Sequence, residues 1–275
     1  MVYSLSYKIP MINGLPNTGG YHKIMINPRY LNYQEPLVRF CDYGIAGENF
    51  YARTDGKNAP YYKKIEGSVE TIWGRKTVAE MLTRVNGRLK PFGVELSVWD
   101  AYRPVSCQRG LWDYFVEQGR RNKPGASAEE LKEYVLNFVS DCSSFDSNDS
   151  RTWPVHASGG AVDLTLRDLE SKELLDMGVG FDEADEKTYS DAFERKLAAK
   201  EIDEKDPRLW NRRLLHWAMT EEGFINYPYE VWHFDYGDQM YVLYAGLMGK
   251  PNAPKEAWYG YIESPEGRRG TCEEK

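Results

Sequence analysis

Two of the four histidines in this chain stand close to carboxylates, at spacings that suit metal-assisted hydrolysis. In His156-Ala-Ser-Gly-Gly-Ala-Val-Asp163 two consecutive glycines let the backbone turn sharply, so an imidazole before the turn and a carboxylate on the segment after it can converge on one point. In Glu230-Val-Trp-His233 a carboxylate and an imidazole lie three residues apart in apolar, aromatic company. His156, Asp163 and His233 can supply the three protein ligands of one catalytic zinc per chain, with a fourth position left for water. Glu230 then becomes the base, taking a proton from a water whose pKa the metal lowers towards about 7 and delivering it to a leaving amine. Amide hydrolysis also needs positive charge where the carbonyl oxygen becomes an oxyanion. Trp99-Asp-Ala-Tyr-Arg-Pro104 puts Arg103 just beyond a strand end, with Asp100 close enough to orient it. His216, in an expected helix beside Trp217, reads as a packing residue, and His22 lies in a Gly/Tyr loop that names no partner for it. The His-Glu-x-x-His helix motif, a Gly-x-Ser-x-Gly elbow and a phosphate-cradling Gly-x-x-x-x-Gly-Lys loop are all absent.

With these residues in place, the chain resembles the zinc D-alanyl-D-alanine dipeptidases of the vancomycin-resistance type, within the wider group of D-Ala-D-Ala carboxypeptidases and related cell-wall peptidases. The group's pattern is Ser-x-His-x-x-Gly-x-Ala-x-Asp followed later by Glu-x-x-His, and His156, Gly159, Ala161, Asp163, Glu230 and His233 match it. The resemblance extends through Trp99-Asp-Ala-Tyr-Arg-Pro104, Met177-Gly-Val-Gly-Phe-Asp-Glu183, Asn211-Arg-Arg213 and Glu222-Gly-Phe224, roughly residues 75–240. It implies zinc ligands His156, Asp163 and His233, the base Glu230 and the transition-state arginine Arg103. It further implies substrate contacts from Asp182, facing the free amine of a dipeptide, from Asp100, and from an N-terminal tyrosine assigned to Tyr43. Pro154 stands where the motif has serine, which removes a hydroxyl near the substrate.

The elements that must hold these groups follow from periodicity. Val78, Met81, Leu82, Val85 and Leu89 recur on one helical face, and Pro91 stops the run. Val94-Glu-Leu-Ser-Val-Trp99 alternates as a half-buried strand ending at Asp100, and Ala161-Val-Asp-Leu-Thr-Leu166 reads as a second strand. Further helices are expected over 106–120, 128–140 and 206–222, with a polar loop at 143–150. Tyr229–Tyr236 reads as a third strand from its aromatic and β-branched content, and the first 60 or so residues as irregular chain with short strands. In an ideal strand Glu230 and His233 would face opposite sides, so a bulge or strong twist is required there. The mixture lacks regular βαβ alternation. The expected fold is therefore α+β, a mostly antiparallel sheet with flanking helices around the zinc site. The whole of 1–275 is taken as one domain, with a catalytic core at about 75–240 and both ends packed on it.

Composition limits the alternatives. With 41% hydrophobic residues and 14% aromatics, the chain has the apolar area to fold. A net charge of −7 without a basic block disfavours nucleic acid, and no apolar run reaches the length of a membrane span. Cys41, Cys107, Cys142 and Cys272 lie far apart and suggest neither a disulfide scaffold nor a thiolate zinc site, which together with a start that lacks a basic stretch followed by an apolar one fits a cytoplasmic protein. A small dipeptide is the expected partner. Removal of terminal D-Ala from longer wall peptides is the nearest rival activity, and a catalytically silent wall-peptide binding module is a different class.

Overall fold

The computed structural model describes residues 6–12, 14–16 and 19–263. The strands are β1 (Leu37–Arg39), β2 (Ala46–Gly47), β3 (Trp73–Arg75), β4 (Val94–Asp100), β5 (Ala161–Asp168), β6 (Ile225–Asn226) and β7 (His233–Asp235). The helices are α1 (Lys76–Leu89), α2 (Val105–Asn122), α3 (Ala128–Val135), α4 (Ala192–Ala198), α5 (Pro207–Glu221) and α6 (Gln239–Leu247). A five-stranded sheet runs β2-β4-β5-β7-β6, parallel only at the β2–β4 edge, and β1 pairs antiparallel with β3 beside it. This is the α+β, largely antiparallel architecture that the mixed periodicities predict.

The period-two pattern of β4 and β5 sorts their side chains between two faces. Val94, Leu96 and Val98 stand with Val162, Leu164 and Leu166 on the face covered by α1 and α5, where Val78, Leu82, Val85, Leu215 and Met219 close the main core. Each such buried side chain contributes roughly 1.5–3 kcal/mol of hydrophobic stabilisation. The other face carries Ser97, Thr165 and Asp163 and lies towards a second apolar cluster built by α2 and the loops around Phe50 and Phe181. That second face holds the chemistry.

Three local differences from the sequence reading have physical causes. The helix expected at 128–140 begins with a Ser127–Glu130 capping box but ends at Val135, where the Asn137 amide donates to the carbonyls of Glu133 and Tyr134. The strand expected over 229–236 is confined to β7. The Asn226 side-chain amide donates to the carbonyls of Glu230 and His233 and folds the intervening chain into a turn. Cys41 is disulfide-bonded, which the cysteine spacing does not foreshadow, and this removes the cysteine argument for a reducing compartment; Cys107 and Cys142 are free and buried.

Candidate active site

β5 is the middle of the sheet, and its register decides which groups meet. Asp163 pairs with Asp100 on β4 and with His233 on β7, so three functional side chains form a row across adjacent strands. The β4–β5 register slips between Val98 and Asp100. Val98 pairs with Leu164 on the core side, and plain alternation would send Asp100 the same way; the extra residue turns it to the face of Asp163. His156 arrives from a short 3-10 helix, Val155–Ser158, that precedes the glycine turn. Gly159 adopts a left-handed φ of +71°, and a Cβ on Gly160 would lie 2.5 Å from the carbonyl oxygen of Tyr236. Both glycines are therefore required for His156 to fold back onto β5.

Each imidazole is anchored from behind. His156 Nδ1 donates to the carbonyl of Ala101 at 2.8 Å, which directs Nε2 towards His233 Nδ1 at 3.3 Å and Asp163 Oδ2 at 3.4 Å. His233 Nε2 donates to Asp235 Oδ1 at 2.9 Å, which directs Nδ1 towards Asp163 Oδ1 at 3.0 Å. Ligand atoms of His156, Asp163 and His233 all lie within 4.8 Å of one another, and all three residues are buried. Two imidazole nitrogens whose partners on the far side hold the ring protons present lone pairs to a carboxylate, a donor set that suits a divalent cation and zinc in particular. Burial, then Arg103 and His233, pushes His156 down to about 3 despite Asp163, so this ring is neutral and ready to ligate at physiological pH. Burial opposes charge on His233, yet Asp235 and Asp163 hold its pKa well above the ordinary value. That proton is the one a cation displaces. Asp163 stays ionised at about 2, since His156, His233 and Arg103 together overcome its burial.

Arg103, only 11% exposed, emerges just before α2 and is held through all three guanidinium nitrogens, with one Nη1 hydrogen left over. Nε donates to Asp100 Oδ2 at 2.7 Å, Nη1 to Gln108 Oε1 at 3.0 Å, and Nη2 to Tyr51 Oη at 3.1 Å and Asp163 Oδ2 at 3.3 Å. It also stacks 4.7 Å above the Tyr51 ring. Asp100, fully buried, is thus a holder of Arg103; burial raises its carboxyl to about 7 against the pull of the guanidinium. Glu230 sits in the turn before β7 with its side chain 39% exposed and Oε2 3.8 Å from His233 Nδ1. The surrounding protein desolvates this carboxyl and raises it to about 7, with Asp163 and Asp182 adding repulsion and His233 and Arg103 opposing. A base poised near neutrality suits proton transfer in both directions. The turn, and not a bulge or twist within a strand, brings Glu230 and His233 to the same side.

Asp182 lies beside this cluster. Its Oδ2 accepts from Tyr51 Oη and Tyr61 Oη, each at 2.8 Å, and its backbone takes a left-handed φ of +57°, rare for a non-glycine residue and concentrated at functional sites. Burial raises the carboxyl to about 6, with Arg103 opposing. Tyr43, by contrast, packs against the main core beside α1, and its carbonyl accepts from Thr83; the tyrosines that reach Asp182 are Tyr51 and Tyr61. Nothing distinguishes those two among 20 tyrosines in the sequence. Asp235 carried a readable signal, because a residue two positions beyond a strand histidine shares its face.

Two imidazoles and a carboxylate that converge on one point, with a glutamic acid and a guanidinium beside them, supply the groups that metal-assisted peptide hydrolysis requires. The chain belongs to the D-Ala-D-Ala dipeptidase family of peptidases, whose profile matches residues 44–246. Proteins named D-alanyl-D-alanine dipeptidase are similar to it in Synechocystis sp. (30% identical over 62% of this chain and 70% of that one) and Enterococcus faecalis (28% over 72% and 89%). A third, in Escherichia coli, is 34% identical over 52% of this chain and 55% of that protein. Among solved structures, a zinc-bound vancomycin-resistance D,D-pentapeptidase aligns over 70% of this chain and 88% of its own at 17% identity, with a TM-score of 0.39.

Proposed function

We propose that this chain is a zinc-dependent dipeptidase that splits D-alanyl-D-alanine into two molecules of D-alanine, with His156, Asp163 and His233 as the metal ligands. The observation that carries the reading is the placement of Asp182, an anion held by two tyrosines only three hydrogen bonds, through Tyr51 and Arg103, from Asp163. A carboxylate so placed favours a free ammonium next to the scissile bond over the uncharged amide of a longer chain. Zinc bound at the cluster would supply Lewis acidity towards the scissile carbonyl and acidify a water. The protein does the rest. Glu230, placed beside His233 Nδ1 at 3.8 Å, would accept the proton of the attacking water and pass it to the departing amine. Arg103, fixed by Asp100, Gln108 and Tyr51, presents a charge to the developing oxyanion without having to reorganise.

Purified protein assayed on D-Ala-D-Ala, L-Ala-L-Ala and a wall pentapeptide, with and without chelator, tests this. Chelator-sensitive cleavage of D-Ala-D-Ala in preference to the other two is expected. Equal cleavage of the pentapeptide would favour a carboxypeptidase, in line with the missing motif hydroxyl at Pro154, and no cleavage would leave a binding module. Among the described residues no helix is long and apolar enough to cross a membrane.

A further inference from the structure

A cavity of about 900 Å³ opens on the sheet face that carries the active site, between that face and helices α2 and α3. Its walls and those of the catalytic cluster are made by sequence neighbours. Phe50, Trp99 and Phe181 line the cavity, while the adjoining Tyr51, Asp100 and Asp182 form the network around Arg103. The three rings contact one another, Phe50 to Phe181 at 4.8 Å and Trp99 to Phe181 at 4.9 Å between centroids. Asp182 belongs to both groups: it lines the cavity and receives the two tyrosine hydroxyls. On the cavity wall, two residues along β5 from Asp163 on the same face, Thr165 has a buried hydroxyl with no hydrogen-bond partner. Phe50, Trp99, Tyr114, Phe115 and Phe181 give the chamber an aromatic side, while Arg53, Lys57 and Glu183 also line it, a combination that suits a ligand with a bulky apolar part.

We infer that this cavity receives the side chain of the N-terminal residue of the substrate, so that the enzyme also cleaves dipeptides whose N-terminal residue is bulky and apolar or aromatic. The inference rests on the reading of Asp182 as the ammonium anchor. In a dipeptide the Cα of the N-terminal residue lies between its amine and the scissile carbonyl. Its side chain therefore leaves the backbone beside Asp182, the residue that joins cluster and cavity. A methyl group there leaves the chamber unfilled, whereas a benzyl group exchanges water contact for the faces of Phe50, Trp99 and Phe181. The leaving residue is on the other side of the scissile bond and gains nothing from the chamber.

The test compares kcat/KM for D-Ala-D-Ala, D-Phe-D-Ala and D-Ala-D-Phe in the zinc-loaded protein and in a Gln118→Trp variant. That substitution fills the cavity from the α2 wall, away from the Arg103 network. D-Phe-D-Ala is expected to match or exceed D-Ala-D-Ala in the parent, with D-Ala-D-Phe slower. Gln118→Trp should lower D-Phe-D-Ala tenfold or more and leave D-Ala-D-Ala within twofold. A second variant, Val179→Phe, fills from the opposite wall and should behave alike. If D-Ala-D-Ala is cleaved while D-Phe-D-Ala is more than a hundredfold slower, or if both filling variants slow the two substrates equally, the cavity assignment falls and the dipeptidase reading stands. If none of the three is cleaved, that reading fails and takes the cavity assignment with it.

Discussion

His233 is held between two carboxylates, and they decide which of its nitrogens faces the cluster. Asp235 takes the Nε2 proton, which leaves Nδ1 for Asp163 and a metal. Asp235→Asn keeps the shape and loses the charge that fixes this tautomer, so zinc affinity should fall about 10–100-fold with the fold intact, as competition with a chelator would show. Unchanged affinity would mean that β7 alone orients the ring. The ligands themselves make a simpler prediction: one zinc per chain in the parent, and none retained after His156→Ala or His233→Ala, by metal analysis of dialysed protein. Glu230 does not need to ligate. Glu230→Ala should therefore keep its zinc while kcat drops by about 10²–10⁴-fold, the usual contribution of positioned proton transfer; a variant with full activity would remove Glu230 from the chemistry. That His156, Asp163, His233 and Glu230 would meet was legible because ligand types, a glycine turn and the order of two short motifs coincide. Tyr51 and Tyr61 were not, because a tyrosine that donates to a buried aspartate has the same local sequence as one that packs.

Secondary structure was readable where one face is apolar and the other is not. α1, β4, β5 and α5 carry unbroken 3.6- or two-residue patterns, and they occupy the expected places to within a few residues. The reading failed where a side chain competes with the backbone. Asn137 ends α3 and Asn226 ends the aromatic run before β7, each by donating to carbonyls that a longer element would have used. Propensity scales assign those positions from residue type, and the outcome depends on which carbonyls lie within reach. Asn226, buried, also links to Ser190 and so ties the Glu230 turn to the segment before α4. Asn226→Ala leaves two carbonyls of that turn without a donor, which should cost about 1–3 kcal/mol in denaturant unfolding. Because the turn sets Glu230 relative to His233, kcat should fall more than KM rises. A variant that loses stability but keeps kcat would show that the turn before β7 holds Glu230 without the asparagine.

The specificity proposed for Asp182 belongs to the whole molecule, since its surroundings are assembled from parts of the chain that are far apart. Tyr51 and Tyr61 precede α1, Asp182 follows β5, and their hydrogen bonds span 131 and 121 residues. No local pattern announces such a contact. Once the sheet and α2 bring these loops together, burial holds the Asp182 carboxyl near 6 while a dipeptide ammonium stays protonated to about 8. The sign follows. In the proposed role for Asp182, the anion present above about pH 6 would hold the ammonium; as pH falls through 6 it takes up a proton and the attraction would be lost. KM for D-Ala-D-Ala should therefore rise on the acid side of 6, and Asp182→Asn should raise KM at neutral pH and abolish that acid limb. N-acetylation of the substrate removes the other partner and leaves a buried carboxylate unpaired, so acetyl-D-Ala-D-Ala should be cleaved far more slowly than the free dipeptide, with the gap narrowed in Asp182→Asn. Equal kcat/KM for the free and acetylated dipeptides in the parent protein would place the ammonium elsewhere, and an equally fast pentapeptide would make the Asp182 corner an open groove that longer wall peptides traverse.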